Sequence, residues 1–425
     1  MVSSFLLTAG FVLAWTLSPE ALTLLGNSTG TTGPFFLLGL AGGLIFTALA
    51  VRIIHAKNPV GDAGPSQLKD SLAAVGAVPA MTVLLASRLS LVLLLPTGML
   101  VTAGFAFNET FYHRFPNFAF SALLLGLIVI IHLGGKKFVQ ASQMLFVTVT
   151  AMCLLLLIGA GLAQGLDRLP EAASVSGEIT GMSGALFTTL VLFLGYDQGR
   201  TGLGTTRGVL LALACGGVIC ALWSLVSLGH VPREALANST LPHLLTAREV
   251  LGQPGRIIIA AAVIAGSCGV VNVLFSQAKG TLQHIADTYP LTRRSMPGGE
   301  ERIYPVIFAL FIAIALAGGL AGSDNLTTYI YGCLLLWLLA TAMLSYGAAK
   351  RLLLRDRQLS YLGYAITALY LLAIIWLAAK APQSVELMVF SLLLLTAAAF
   401  LAVTWRFASR RRFGSINSHN QGETL

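Results

Sequence analysis

Apolar stretches of about twenty residues recur along the whole of this 425-residue chain, and no other feature limits its fold so strongly. About 20 such residues carry a helix across the hydrocarbon core of a bilayer. A water-soluble fold would have to cover them with polar surface. Yet only 10% of the residues are charged, against about a quarter in ordinary soluble domains. Lipid is therefore the expected solvent. Spans are expected near 3–25, 33–54, 77–107, 117–134, 137–164, 181–197, 207–229, 256–286, 303–322, 326–349, 359–379 and 384–407. The third and eighth are long enough to require tilt. The loops near 55–76, 230–255 and 285–303 are too short for a soluble domain, so the expectation is one membrane domain over 1–409. A polar, disordered cytoplasmic tail is expected over 410–425.

The formal charge of +9 does not point to nucleic acid, because the basic residues form no single patch. They sit in short loops between spans, which is how orientation in a membrane is written. With the N-terminus placed in the cytoplasm, 19 of the 26 lysines and arginines fall on that side. Only Arg114, Arg168, Arg233, Arg248, Arg256 and Lys380 fall on the other, and Arg88 lies within the third span. An even number of spans with both termini inside follows, in a bacterial inner membrane. Residues 5–25 lack a basic leader and run almost directly into the next span, so they are expected to be span one and not a cleaved signal. The five cysteines lie inside apolar spans without metal-ligand or disulfide spacing, as small packing residues.

Inside lipid an unpaired backbone group costs several kcal/mol, so a broken helix persists only where it faces a cavity or ligand. Two breaks stand at corresponding places in the two halves. Ala14-Trp15-Thr16-Leu17-Ser18-Pro19 interrupts span one, because Pro19 removes a donor and disfavours helix at Ser18. Phe193-Leu194-Gly195-Tyr196-Asp197 ends span six. The bland alternatives are an ordinary proline kink and a simple helix end. Arg88 is the intramembrane charge, with Asp197 or Glu109 as expected partner. In span eight, Gly266, Cys268 and Gly269 favour close packing, and the Ser267 hydroxyl is a candidate sodium ligand. Asn108, Glu109, Tyr112 and His113 are expected at the outer interface, and His132 at the cytoplasmic end of span four. No phosphate-binding glycine loop, zinc motif, nucleophile elbow or carboxylate cluster is present in the sequence, which argues against an ATPase or membrane enzyme and calls for no cofactor.

Three passages resemble the amino acid–polyamine–organocation (APC) superfamily of permeases. Ile131 to Gln140 is similar to the family's glycine- and lysine-bearing passage into span five. Phe193 to Asp197 is similar to its Phe-x-Gly-Phe-Glu break. Asn272 to Lys279 with His284 to Asp287 is similar to the end of its span eight. The resemblance implies a LeuT-like fold of five plus five helices in inverted repeats, here about 1–165 and 180–350, with two extra helices over about 358–408. It also implies a solute held between spans one, three, six, eight and ten, and alternating access hinged on spans one and six. In the family, backbone amides of the broken spans hold a substrate carboxylate, and an aromatic of span six gates it. Gly195, Tyr196 and Asp197 match that break, and Phe193 is the gate position. The family's Gly-x-Gly-Ile-Phe sequence in span one is absent. Ala14, Trp15, Thr16 and Leu17 occupy its place, and the lysine that some proton-coupled members carry in span five is missing between Gln143 and Leu157.

The resulting expectation is a symporter or exchanger for amino acids or related amines, coupled to sodium or a proton. The candidate solute site comprises Ala14 to Leu17, Arg88, Phe193, Gly195, Tyr196 and Asp197, with Ser267 for the ion. A transport-silent sensor on the same fold and an accessory subunit of a membrane complex are the alternatives from other classes.

Overall fold

The computed structural model describes residues 4–56, 71–72, 74–112, 114–166, 178–196, 206–289, 302–320, 326–353, 355–381 and 383–420. Its helices are α1 (Ser4–Thr16), α2 (Pro19–Thr32), α3 (Phe36–Ile54), α4 (Ala77–Thr110), α5 (Asn117–Leu133), α6 (Lys136–Gln164), α7 (Glu178–Leu192) and α8 (Thr206–His230). They continue as α9 (Arg233–Asn238), α10 (Pro242–Leu251), α11 (Gln253–Thr288), α12 (Ile303–Ala317), α13 (Leu326–Leu352), α14 (Arg357–Lys380) and α15 (Ser384–Asn420). Among the described residues, eight helical stretches are long and apolar enough to cross a membrane, and four shorter apolar helices accompany them. The chain is a polytopic all-α membrane protein.

Several expected boundaries move. Span one is two helices, α1 and α2, and reaches Thr32 rather than 25. A one-turn 3-10 helix, Gly33–Phe35, joins it to α3, and Gly33 takes a φ of 65° that other residues would resist. The stretch 230–255, expected as loop, contains α9 and α10. The last helix continues to Asn420, so the backbone of 410–420 is helical where disorder was expected.

Packing sorts the spans into two groups. Spans one, two, six and seven (α1–α3, α7, α8) pack mainly on one another, and spans three, four, five, eight and nine (α4, α5, α6, α11, α12) do likewise. Spans two and six approach closely because Gly39 and Gly43 of α3 leave room: a Cβ on Gly39 would stand 2.5 Å from that of Ala185, and one on Gly43 would strike Thr189. Buried hydroxyls return to their own helices, as in Thr97 to the Leu93 carbonyl (3.2 Å) beside Pro96 and Thr150 to Phe146 (2.9 Å). Large apolar side chains such as Ile130, Leu156, Ile375 and Phe400 stay exposed on outer helices, where lipid replaces water.

One polar expectation is corrected. Glu109 does not reach Arg88. Both belong to α4, some 21 residues and about 31 Å apart along a helix. Glu109 instead pairs with Arg256 at 3.4 Å. His132 stands in the last turn of α5, at the end of span four as expected, and is buried there, its ring 5.5 Å from that of Phe275.

Candidate solute site

The break in span one is made by local chemistry without glycine. Ser18 adopts an extended backbone (φ −71°, ψ 157°), as a residue before proline prefers, and Pro19 opens α2. The Ser18 hydroxyl accepts from the Ala21 N–H at 3.1 Å, and the Ser18 carbonyl accepts from Leu22 at 2.9 Å. Behind the break, Leu17 N–H donates to Leu13 and Ser18 N–H to Trp15.

The break in span six follows α7. Phe193 and Leu194 turn back on Thr189 and Val191, and Gly195 takes a φ of 89°, open to glycine and strained for other residues. Tyr196 follows, and Asp197 lies outside the described residues.

The two breaks touch. The Trp15 indole Nε1 donates to the Val191 carbonyl at 2.8 Å, and the Thr16 hydroxyl donates to the Leu192 carbonyl at 3.3 Å. Both acceptors end a helix, where carbonyls lack partners within the helix. Trp15 thus caps span six from span one. Its ring also meets Trp337 of span ten edge-on, centroids 5.2 Å apart. Ala14, Trp15, Thr16, Leu17, Phe193 and Tyr196 are all buried. The Tyr196 hydroxyl lies 3.2 Å from that of Tyr370, so span eleven holds this side chain.

Beside the breaks, a crevice runs between spans one, five and eight. Ala14, Leu17, Phe146, Val147, Thr150, Ala265, Gly266 and Gly269 line it, and it is too narrow anywhere to seat a water molecule. Gly266 makes this approach possible, since a Cβ there would stand 3.2 Å from the Leu17 carbonyl oxygen and 3.5 Å from the Pro19 ring. Ser267 is turned elsewhere and donates to the Met99 carbonyl of α4 at 3.1 Å. The Thr150 hydroxyl is already bonded. The crevice walls thus offer a hard cation few free oxygens. No cluster of three or more His, Cys, Asp or Glu residues suited to a metal occurs among the described residues.

A polar chain braces the same three spans. Asn272 donates to the Gln143 side-chain oxygen at 2.8 Å and to the Val139 carbonyl at 3.2 Å, and Gln143 donates to the Gly10 carbonyl at 3.2 Å. Arg88 is buried, 6% exposed, and engaged in an interaction of its own. It lies two residues from Ser90, whose carbonyl faces the Cys333 thiol at 3.5 Å, one turn of α13 from Trp337.

Sequence reasoning overlooked Glu20 and Gln143. Glu20 is the second residue of α2, and its Oε2 is sealed from solvent without a hydrogen-bond partner among the described residues. The signal was a carboxylate inside an apolar span.

No protein-family model matches the chain, and no curated protein sequence matches it. Solved structures do. One is a Na+-coupled sialic acid symporter in a substrate-bound, outward-open state, with 14% identity, a TM-score of 0.61 and coverage of 90% of this chain and 91% of that one. Another is the Eremococcus coleocola manganese transporter in complex with an aromatic bis-isothiourea compound, with 12% identity, a TM-score of 0.61 and coverage of 96% and 95%. A third is MhsT in complex with L-phenylalanine, with 13% identity, a TM-score of 0.62 and coverage of 89% and 98%. At such identities the likeness is one of fold, and the fold is LeuT-like.

Proposed function

We propose that this protein is a secondary active transporter that moves amino acids or related amines across a bacterial inner membrane by alternating access. One observation carries the reading: two interrupted spans, one from each half of the chain, meet through Trp15–Val191 and Thr16–Leu192. Backbone breaks buried in a membrane domain are kept where a solute or ion is handled. The neighbours in fold transport sialic acid with Na+, transport manganese, or bind L-phenylalanine, which supports transport and leaves the solute to this chain's own residues. Sodium or a proton is the coupling ion. In this reading Phe193 and Tyr196 cover the solute, Arg88 or Asp197 supplies charge, and Ser267 serves the ion. Binding energy acts by favouring one conformation over another.

The test is a thermal-stability screen of the detergent-purified protein against amino acids, polyamines and small amines, each with sodium or potassium at two pH values. A ligand at 100 times its dissociation constant stabilises by about 2.7 kcal/mol. Hits then go to flux measurements in liposomes. A selective shift accompanied by flux supports the carrier. A shift without flux would make the protein a sensor, and silence throughout would argue for an accessory subunit.

A further inference from the structure

Glu20 stands where a transporter of this fold would ordinarily offer an anion site. A half-helix that begins inside the membrane presents unpaired N–H groups and the positive end of its dipole. In α2 those donors are already used. Pro19 has none. The Ala21 N–H is taken by the Ser18 hydroxyl and the Leu22 N–H by the Ser18 carbonyl. The Glu20 N–H hydrogen-bonds the Glu20 carboxylate itself. The chain has thus put its own carboxyl group at the N-terminus of this half-helix.

That group forms no ion pair among the described residues. Oε2 is shut off from solvent and accepts no hydrogen bond among the described residues. Cations elsewhere in the fold have their own partners: Arg88 has its own interaction, Arg256 pairs with Glu109, and Arg233 donates to the Gly30 and Thr31 carbonyls. A carboxylate withdrawn from water without a partner is costly, so a site that keeps one suits a cation arriving from outside. Glu20, Thr23, Leu24 and Asn27 recur at helical spacing on the half-buried side of α2, whereas Leu22, Leu25, Gly26 and Thr29 form its fully buried side.

We propose that Glu20 binds the ammonium group of the solute, and that the protein takes organic amines in preference to the amino acids that bear the same side chain plus an α-carboxylate. This rests on the transporter reading and narrows its solute class.

The experiment uses matched pairs: agmatine with L-arginine, cadaverine with L-lysine, and tyramine with L-tyrosine. Each compound is assayed by thermal shift on the full chain and by counterflow in liposomes. At least one amine is expected to bind tenfold or more tightly than its amino acid. Glu20→Gln is expected to weaken that amine by tenfold or more, and Glu20→Asp, which keeps the charge on a shorter arm, by less. An amino acid that binds and moves better than its amine would overturn the amine inference and leave the transporter standing. So would a Glu20→Gln protein with unchanged amine affinity that loses only the pH dependence of flux, since Glu20 would then carry a proton. No shift and no counterflow with all six compounds would remove both readings. Should Glu20→Gln not fold, the wild-type comparison within pairs and the Asp variant still decide.

Discussion

Trp15 shows what a single side chain can do at a break in a span. A glycine-rich break leaves backbone donors open to a ligand, whereas here an indole donates to Val191 and packs on Trp337. Trp15→Phe would keep most of the ring and delete the N–H. The Val191 carbonyl retains the Leu194 N–H (3.2 Å), so the loss should be about 1 kcal/mol, the net worth of one hydrogen bond. Trp15→Ala also empties a fully buried site and should cost about 3–5 kcal/mol. Thermal unfolding of the two variants separates hydrogen bond from packing, and a Trp15→Phe protein as stable as the wild type would deny the bond any role. The positions of the breaks were legible in the sequence, because Ser18-Pro19 and Gly195 act on their own backbone. The partner of Trp15 was not, since it lies 176 residues away and depends on how two helices dock. Glu20 was hidden for another reason: beside Pro19 it looked like part of a kink, although a carboxylate in a span is a stronger signal than the proline.

At the scale of elements, the segment between spans seven and eight differs most from expectation. Runs of 6 and 10 residues, broken by proline and glycine, give weak helix signals, and such short helices form only when packed. Packing is what α9 and α10 have. Arg233 caps the end of α2 through the Gly30 (3.3 Å) and Thr31 (3.0 Å) carbonyls, Thr246 bonds Ser227 (3.2 Å), and Gln164 bonds the Val250 carbonyl (2.6 Å). His243 of α10 is buried, 1% exposed, and its Nδ1 has no hydrogen-bond partner among the described residues. Burial pushes its pKa down from 6.5 to about 4. Between those values the unfolded chain takes up a proton that the folded one refuses. This contribution to stability is therefore complete above pH 6.5, falls as the pH drops towards 4, and falls no further below that. The full loss is about 3 kcal/mol, at 1.36 kcal/mol per pH unit. His243→Leu should flatten this part of the stability profile, measured by thermal unfolding in detergent between pH 4 and 7. An unchanged slope would show that other groups set it.

For the molecule as a whole, the polytopic all-α class was legible because hydropathy is summed over many residues. The division into two groups of spans was not, because it is fixed by contacts between distant helices such as α3 with α7 and α6 with α11. That division matters for alternating access, which requires one group to rock against the other around the touching breaks. Gly161 of span five faces Val226 of span seven across the division, with a Cβ on the glycine 2.5 Å from a Val226 methyl. Gly217 of span seven faces Leu44 of span two within one group, with a Cβ there 3.6 Å from the Leu44 Cγ. In a background freed of the five native cysteines, a disulfide between Gly161→Cys and Val226→Cys should stop flux, and a reductant should restore it. A disulfide between Leu44→Cys and Gly217→Cys should leave flux largely intact, since it joins helices that travel together. Flux that survives the first link would show that spans five and seven keep their relative positions through the cycle, and the moving boundary would then have to run elsewhere in the fold.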